Sequence, residues 1–195
     1  MVFWSIGRVL MLTFGLIVEG QYDEMAIGGL IPRFAPADVE IVARPCGSKV
    51  QLMRRFSGFL EEFRYIKNGS HVDKALVVRD ADGKDPLRLL ETMRSKISGH
   101  TYPFPVQLVV IVEELEAWLL ADEASLAGII GKRVRRTPNP EGLHDPKEQL
   151  KRLLSEGKVY YTSEIARKIA VNANVDTLAS RCPSFGRFRQ AVIDC

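Results

Sequence analysis

Four short apolar runs divide the first part of the chain, and each has the length of a buried strand. A strand covered on both faces forms a nearly continuous apolar run, which is the pattern seen here. The runs predict strands at residues 9–18, 39–43, 74–79 and 106–112. Segments with helical spacing of apolar residues separate them, at residues 23–34, 49–64 and 85–97. This alternation predicts an α/β fold with a mostly parallel four-stranded sheet flanked by helices.

The strand pattern ends near residue 112, and the rest of the chain has helical periodicity. Helices are predicted at residues 113–121, 146–154, 163–171 and 185–193, with a basic, proline-containing loop before the second of them. We therefore divide the chain into an α/β core, residues 1–122, and a helical C-terminal extension, residues 123–195, packed on that core.

The apolar start of the chain has two interpretations. Residues 1–18 superficially resemble a signal peptide or a membrane anchor. No basic segment precedes the apolar stretch, and an acidic helix start follows it directly, so we interpret it as a loose extension over residues 1–7 followed by a buried strand. This interpretation predicts a protein without a membrane segment.

Composition limits the classes of function. The 195 residues are 46% hydrophobic and 26% charged, which is typical of one globular domain. The net charge of +3 permits a polyanionic substrate but is below that of a dedicated nucleic-acid coat. The three cysteines and three histidines share no ligand spacing, so neither a disulfide framework nor a zinc site is indicated, and a reducing cytoplasm is the expected setting.

Carboxylates follow two of the predicted strands. Glu19 ends the first strand, Gly20 permits a sharp turn, and Asp23 falls in the first turn of the next helix. Asp80 and Asp82 end the third strand, and in an extended segment their side chains would point the same way. Ligand sites of parallel sheets lie at this edge.

Converging carboxylates repel one another unless a cation neutralises them, and oxygen-only ligands favour Mg²⁺, with Mn²⁺ as the alternative ion. The competing interpretation is structural. Asp23 would then only cap a helix, and Asp80-Ala81-Asp82-Gly83 would be an ordinary turn.

The two acidic motifs together resemble the Toprim domain of topoisomerases, primases and related nucleases. Small stand-alone Toprim-like proteins encoded beside ABC/SMC-type ATPases are similar over more of the chain, through residues 114–122 (ELEAWLLAD), 145–147 (DPK) and 182–185 (CPSF). The resemblance implies a Toprim-like fold. It also implies acid/base chemistry or metal binding for Glu19, cation binding by Asp80 and Asp82, and a further metal ligand in Asp23.

Weaker candidates lie later in the chain. Glu116 would lie one helical turn from the sheet edge, on the same helical face as Glu113, and is a candidate ligand for a second cation. Lys147 opens a helix and is a candidate for stabilising charge on a phosphate, or else an exposed lysine. Trp118 is expected in the core. Lys132, Arg133, Arg135 and Arg136 form a basic loop suited to phosphate contact or to solvent.

These observations favour a magnesium-dependent phosphodiesterase acting on nucleic acid, DNA more than RNA. It would be a nuclease component of an antiviral or genome-maintenance system, with an ABC/SMC-type ATPase as partner. The alternative is a non-catalytic subunit that binds or regulates that ATPase. Nucleotidyl transfer ranks last, because the sequence has no evident glycine loop for a triphosphate.

Overall fold

A four-stranded, all-parallel sheet lies at the centre of the molecule in a computed structural model that describes residues 11–66 and 69–194. Its strands are β1 (Met11–Val18), β2 (Asp38–Pro45), β3 (Lys74–Asp80) and β4 (Val106–Ile111), in the order β2-β1-β3-β4. The predicted sheet is confirmed. The first two residues of the predicted first strand, residues 9–10, lie outside the described residues.

Helices cover both faces of the sheet. They are α1 (Gln21–Leu30), α2 (Lys49–Glu62), α3 (Pro86–Ile97), α4 (Glu116–Leu119), α5 (Glu123–Ile130), α6 (Pro146–Glu156), α7 (Ser163–Asn172), α8 (Val175–Arg181) and α9 (Pro183–Ile193). Side chains alternate between the faces along each strand, so Ile17 packs with α2 and α3, while Leu16 and Val18 pack with α1 and the C-terminal helices. The C-terminal helices and one face of the sheet therefore share a hydrophobic core.

The helices differ from the prediction in several places. The first helix ends at Leu30 and continues only as a short 3-10 turn, because the next turn contains Pro32, which has no N–H to donate. Two helices, α5 and α8, lie where none was predicted. Helix α5 is apolar on most of its surface and so lacks a polar face, and it is defined instead by its Asp122 cap and by Gly131 at φ +73°.

The segment after β4 also departs from the prediction of a helix at residues 113–121. Glu113 has a φ of +59°, in the left-handed region, so it cannot lie in an α-helix. Helix α4 starts only at Glu116 and has a single turn. The prediction that Glu113 and Glu116 share a helical face is therefore wrong.

Trp118 lies in the core, as predicted, and its indole is fully buried. Its ring centroid is 5.2 Å from that of Phe185 and 5.2 Å from that of Phe188. The indole N–H donates a hydrogen bond of 2.8 Å to Ser184 Oγ. One side chain of the short helix α4 thus joins the sheet to α9.

Lys74 connects the other end of α9 to the sheet. Its side chain is buried at the start of β3, and its ammonium donates to the carbonyls of Ala191 and Val192, at 3.1 and 2.9 Å, and to that of Asp194. These carbonyls belong to the helix end, where no further backbone N–H follows to bond them. A cation is also favoured at the negative end of a helix dipole.

Replacing Lys74 with methionine is expected to lower the free energy of unfolding by about 1–3 kcal/mol. Methionine keeps an apolar stem but leaves the carbonyls at the end of α9 without their donor. Urea denaturation measures the difference, and Lys84→Met, an exposed lysine in the turn after β3, serves as the control. If the two variants were equally stable, Lys74 would not anchor the helix.

The cysteines are consistent with free thiols where they are described. Cys46 and Cys182 are buried and unpaired, and Cys195 lies outside the described residues. Among the helices of the described part of the chain, none combines the length and apolarity that crossing a membrane requires.

Candidate functional site

The carboxyl ends of β1 and β3 are neighbours in the sheet, and this brings the two acidic motifs together. Glu19 follows β1 directly, and Asp80 is the last residue of β3. The backbone N–H of Asp80 donates a hydrogen bond of 3.2 Å to Glu19 Oε1. The Nε of Arg79 lies 3.9 Å from Glu19 Oε1. Burial, followed by the Asp82 charge, raises the pKa of Glu19 above its ordinary value.

Asp23 lies in the first turn of α1 and faces the same point. Its Oδ2 accepts a hydrogen bond of 2.9 Å from the N–H of Gly20. Burial, with the charges of Glu116 and Glu19 acting in the same direction, raises the pKa of Asp23 to about 7 despite that bond. Asp23 therefore caps the helix and also belongs to a charged cluster. The chain bends sharply at Glu19 and Gly20, between the end of β1 and the start of α1, as predicted; Gly20 itself has an extended backbone, with φ −154°, which any residue can adopt.

Asp80 lies at the centre of the carboxylates. Burial raises the pKa of Asp80 well above its ordinary value, and nearby carboxylates raise it further. In order of effect these are Asp23, Glu19, Glu116 and Asp82. The structure thus brings four carboxylates within electrostatic reach of Asp80, and we call Glu19, Asp23, Asp80, Asp82 and Glu116 the acidic cluster.

Asp82 lies in the cluster but in a different orientation from the predicted one. It has a φ of +48°, and Gly83 follows at +72°, so the chain turns here and is not extended. The prediction that Asp80 and Asp82 point the same way in an extended segment is therefore wrong. Instead, Asp82 Oδ2 lies 2.9 Å from Lys49 Nζ at the start of α2. The N–H of Asp82 donates to the carbonyl of Glu113, which joins two residues with left-handed backbones.

The C-terminal extension contributes one cationic side chain to the site. Lys147, at the start of α6, places its Nζ 3.0 Å from Glu116 Oε1, and Glu116 is only 2% exposed. Tyr161 donates a hydrogen bond of 3.0 Å to the same oxygen. Burial alone would lower the pKa of Lys147, but the carboxylates of Glu116, Asp23 and Glu114 outweigh it and raise the pKa. Lys147 is therefore a permanent positive charge beside the acidic cluster.

Several residues of the site were not predicted. Lys49 neutralises Asp82, Tyr161 fixes Glu116, and Glu114 Oε2 accepts a hydrogen bond of 2.9 Å from the N–H of Lys147. Only Glu114 had a sequence signal, since it stands in the segment 114–122 that the sequence analysis singled out. Lys49 and Tyr161 come from elements distant in sequence, so no local spacing indicates them.

The basic loop and an acidic cleft complete the surroundings. Lys132 Nζ donates to the carbonyl of Glu156, which ties the predicted basic loop to the end of α6. A cleft of about 160 Å³ opens beside Asp82 and is lined by Gly83, Glu113, Glu114, His144 and Asp145 as well. The loop residues stay candidates for phosphate contact.

The residues present fit a hard divalent cation in their chemistry. The acidic cluster supplies only oxygen donors, and its five carboxylates face three cationic side chains, Lys147, Lys49 and Arg79. This excess negative charge, together with the raised pKa of Asp23, is what a bound cation would relieve. Within residues 11–66 and 69–194, no three acidic, histidine or cysteine side chains stand close enough together to hold a metal ion. The side chains would have to adjust on binding.

The metal-free protein is expected to lose stability as pH rises, and Asp23 should contribute to the loss. A carboxyl whose pKa is raised by folding stabilises the fold below its ordinary pKa, and this stability disappears as pH rises through the folded pKa, here about 7. Between about pH 5 and about pH 8, Asp23→Asn should therefore gain on the order of 1–3 kcal/mol relative to wild type.

Urea denaturation in a chelating buffer measures this difference. Asp38→Asn, an exposed aspartate at the start of β2, is the matched control and should follow the wild-type curve. A difference between Asp23→Asn and wild type that does not change with pH would show that Asp23 is ionised throughout.

The fold and the acidic cluster define the class: a parallel α/β domain that gathers carboxylates at the carboxyl edge of its sheet. The chain belongs to the family described as domain of unknown function DUF4276, whose model matches residues 18–193. This match includes the acidic cluster and the C-terminal helices. No curated protein and no solved structure gives a significant match to the chain.

Proposed function

We propose that this protein is a magnesium-dependent phosphodiesterase acting on nucleic acid, with DNA the favoured substrate. The observation that carries the proposal is the convergence, at the carboxyl edge of a parallel sheet, of five carboxylates and of Lys147, whose ammonium pairs with the buried Glu116. Both features suit phosphodiester cleavage, because negative charge develops on the phosphate as a water molecule loses its proton. The resemblance to Toprim domains supports metal-dependent chemistry on nucleic acid but does not choose among cleavage, transfer and polymerisation.

Each residue has a distinct role in the proposal. Asp80, Asp82, Asp23 and Glu116 would hold Mg²⁺ or Mn²⁺, which when bound supplies Lewis acidity toward the phosphate and an activated water molecule. Burial raises the pKa of Glu19 above its ordinary value, and a carboxylate at this position is suited to accept and return a proton, unless it is itself a ligand. Lys147 has a raised pKa and stays protonated, so it stabilises negative charge and does not serve as a base.

The cellular setting follows from the same proposal. A nuclease component of an antiviral or genome-maintenance system, located in the cytoplasm beside an ABC/SMC-type ATPase, is consistent with the resemblance and with the free cysteines. A non-catalytic subunit of that ATPase is the competing function. The two functions differ in whether the acidic cluster is used in chemistry.

Purified protein is expected to cleave plasmid or single-stranded DNA when Mg²⁺ or Mn²⁺ is present, and Asp80→Asn is expected to abolish the cleavage. Asp80 is surrounded by the other four carboxylates, so its neutralisation should remove most of the affinity for the cation. Calorimetric titration with Mn²⁺ measures that affinity separately from cleavage. Asp38→Asn removes a carboxylate outside the cluster and should retain both binding and cleavage.

The outcomes separate the candidate functions. Cleavage by wild type and its loss in Asp80→Asn support the phosphodiesterase. Intact DNA and RNA in every wild-type reaction, with Mn²⁺ and the partner ATPase added, would favour the non-catalytic subunit. Unchanged Mn²⁺ affinity in Asp80→Asn would remove Asp80 from the metal site.

A further inference from the structure

The two edges of the sheet are built differently. Edge strand β2 carries Asp38, Glu40, Arg44 and Pro45, residue types that prevent a further strand from adding to an edge. Edge strand β4, with the sequence VQLVVI, contains neither charge nor proline. An unprotected apolar edge is the usual place for strand addition.

The hydrogen-bonding groups of β4 divide between its two sides. The N–H groups of Ala75 and Ala81 donate to the carbonyls of Pro105 and Ile111, so the odd-numbered residues of this segment face β3. Because successive peptide groups of a strand point in opposite directions, the N–H and C=O groups of Val106, Leu108 and Val110 face the open edge. An antiparallel strand could bond to all three residues.

A groove of about 670 Å³ follows this edge between α3 and α9. Its apolar lining includes Leu87 and Leu90 of α3, Leu108 and Val110 of β4, and Ala191 of α9. Leu87 is 72% exposed, which is unusual for a leucine on a helix that packs on a sheet. The groove is therefore an apolar surface that this chain leaves partly uncovered.

The groove is lined by one acidic and one basic residue on each of its two sides. Asp85 lies just before the start of α3 and Arg94 nine residues later on it, while α9 carries Arg187 and is followed directly by Asp194, seven residues after Arg187. At 1.5 Å per residue, the opposite charges lie about 13 Å apart on α3 and about 10 Å apart on α9. Where a two-fold axis passes midway between the two charges of a helix, each acidic residue of one copy lies opposite the basic residue of the other.

We propose that the occupant of this groove is a second copy of the chain, paired through β4 about a two-fold axis normal to the sheet. The strands run antiparallel with Leu108 opposite its own copy, which gives one continuous eight-stranded sheet. Helix α3 then lies beside α3 and α9 beside α9, each pair antiparallel. Arg94 of one copy meets Asp85 of the other, Arg187 meets Asp194, and the exposed Leu87 side chains become covered.

The charge pattern favours a second copy over an unrelated strand. A partner of different sequence would need only an apolar face and free backbone groups. Such a partner gives no reason for each flanking helix to have an acidic residue at one end and a basic residue farther along it, whereas pairing about a two-fold axis does. The acidic cluster lies at the carboxyl ends of the strands, outside this interface, so the proposal does not depend on the proposed enzyme activity.

Sedimentation equilibrium of the full-length protein tests the proposal. Wild type should be a dimer, and Leu87→Glu should raise the dissociation constant at least about tenfold, because it puts a carboxylate into the apolar groove. Tyr65→Glu changes another exposed hydrophobic residue, 76% exposed, and should leave the dimer intact. Circular dichroism is the check that each variant remains folded.

A charge exchange gives the sharper test. Arg187→Asp and Asp194→Arg should each weaken the dimer, because like charges then meet across the two-fold axis, and the double variant should restore it. Amide hydrogen exchange should show protection of Leu108 and Val110 that is lost in Leu87→Glu, while Val109, bonded to β3, stays protected. A monomeric wild type, or a dimer that Leu87→Glu and both single exchanges leave unchanged, would overturn the proposal.

Discussion

Trp118→Ala is expected to lower the free energy of unfolding by about 3–5 kcal/mol, the range for removing a large buried aromatic side chain. The indole is fully buried, and the two phenyl rings of α9 pack against it. Its removal leaves a cavity between α4 and α9 and leaves Ser184 Oγ without the indole donor. Both losses add to the same destabilisation.

Trp118→Phe separates the ring contacts from the hydrogen bond. Phenylalanine retains most of the contact with Phe185 and Phe188 but cannot donate to Ser184, so the loss should be smaller than in Trp118→Ala. Urea denaturation at fixed pH measures both variants. A loss of less than about 1 kcal/mol in Trp118→Ala would mean that α9 does not depend on this contact.

Glu19→Gln is expected to reduce nucleic-acid cleavage by about a hundredfold or more while leaving the fold intact. A glutamine oxygen can still accept the Asp80 N–H, so the geometry at the end of β1 should survive. The amide can neither accept a proton near neutral pH nor bind a cation as a carboxylate does, so both candidate roles of Glu19 are lost. Initial rates on a single-stranded substrate at saturating Mn²⁺ measure the effect.

Glu24→Gln is the matched control for Glu19→Gln. It is the same chemical change in the first turn of α1, outside the acidic cluster, and should retain cleavage. The pH dependence of cleavage adds a second readout, because a lost proton acceptor changes its shape whereas a general loss of folded protein does not. Equal rates in Glu19→Gln and Glu24→Gln would exclude Glu19 from the chemistry.

The sequence predicts which residues meet at the carboxyl edge of the sheet, because it indicates that the strands are parallel. Buried strands form apolar runs, and helices between them enforce a parallel arrangement, so residues that follow such runs must meet at one edge. Glu19 and Asp80 needed no more than this. Asp23 could be predicted equally well, because its short distance in sequence from the end of β1 places it in the first turn of the next helix.

The sequence does not reveal what depends on tertiary contact. Glu113 begins the predicted helix at residues 113–121, yet its backbone is left-handed and its carbonyl accepts a hydrogen bond from the N–H of Asp82. Contact with the neighbouring loop therefore overrides helix propensity. The turn at Asp82 follows the same cause and directs this carboxylate to Lys49. Tyr161 reaches Glu116 across a sequence separation of 45 residues, which no short spacing can encode.

Through Lys147, the acidic cluster depends on both the α/β core and the C-terminal extension. The carboxylates belong to the sheet half, while the ammonium that offsets them arrives on α6, after β4 and two further helices. A shuffled descendant that kept the sheet but exchanged its C-terminal helices would keep Lys49 and Arg79 but would leave Glu116 buried without its cationic partner. Recombination within this family is therefore expected to preserve the pairing of Glu116 with a cation at the start of α6, even where the intervening loop changes length.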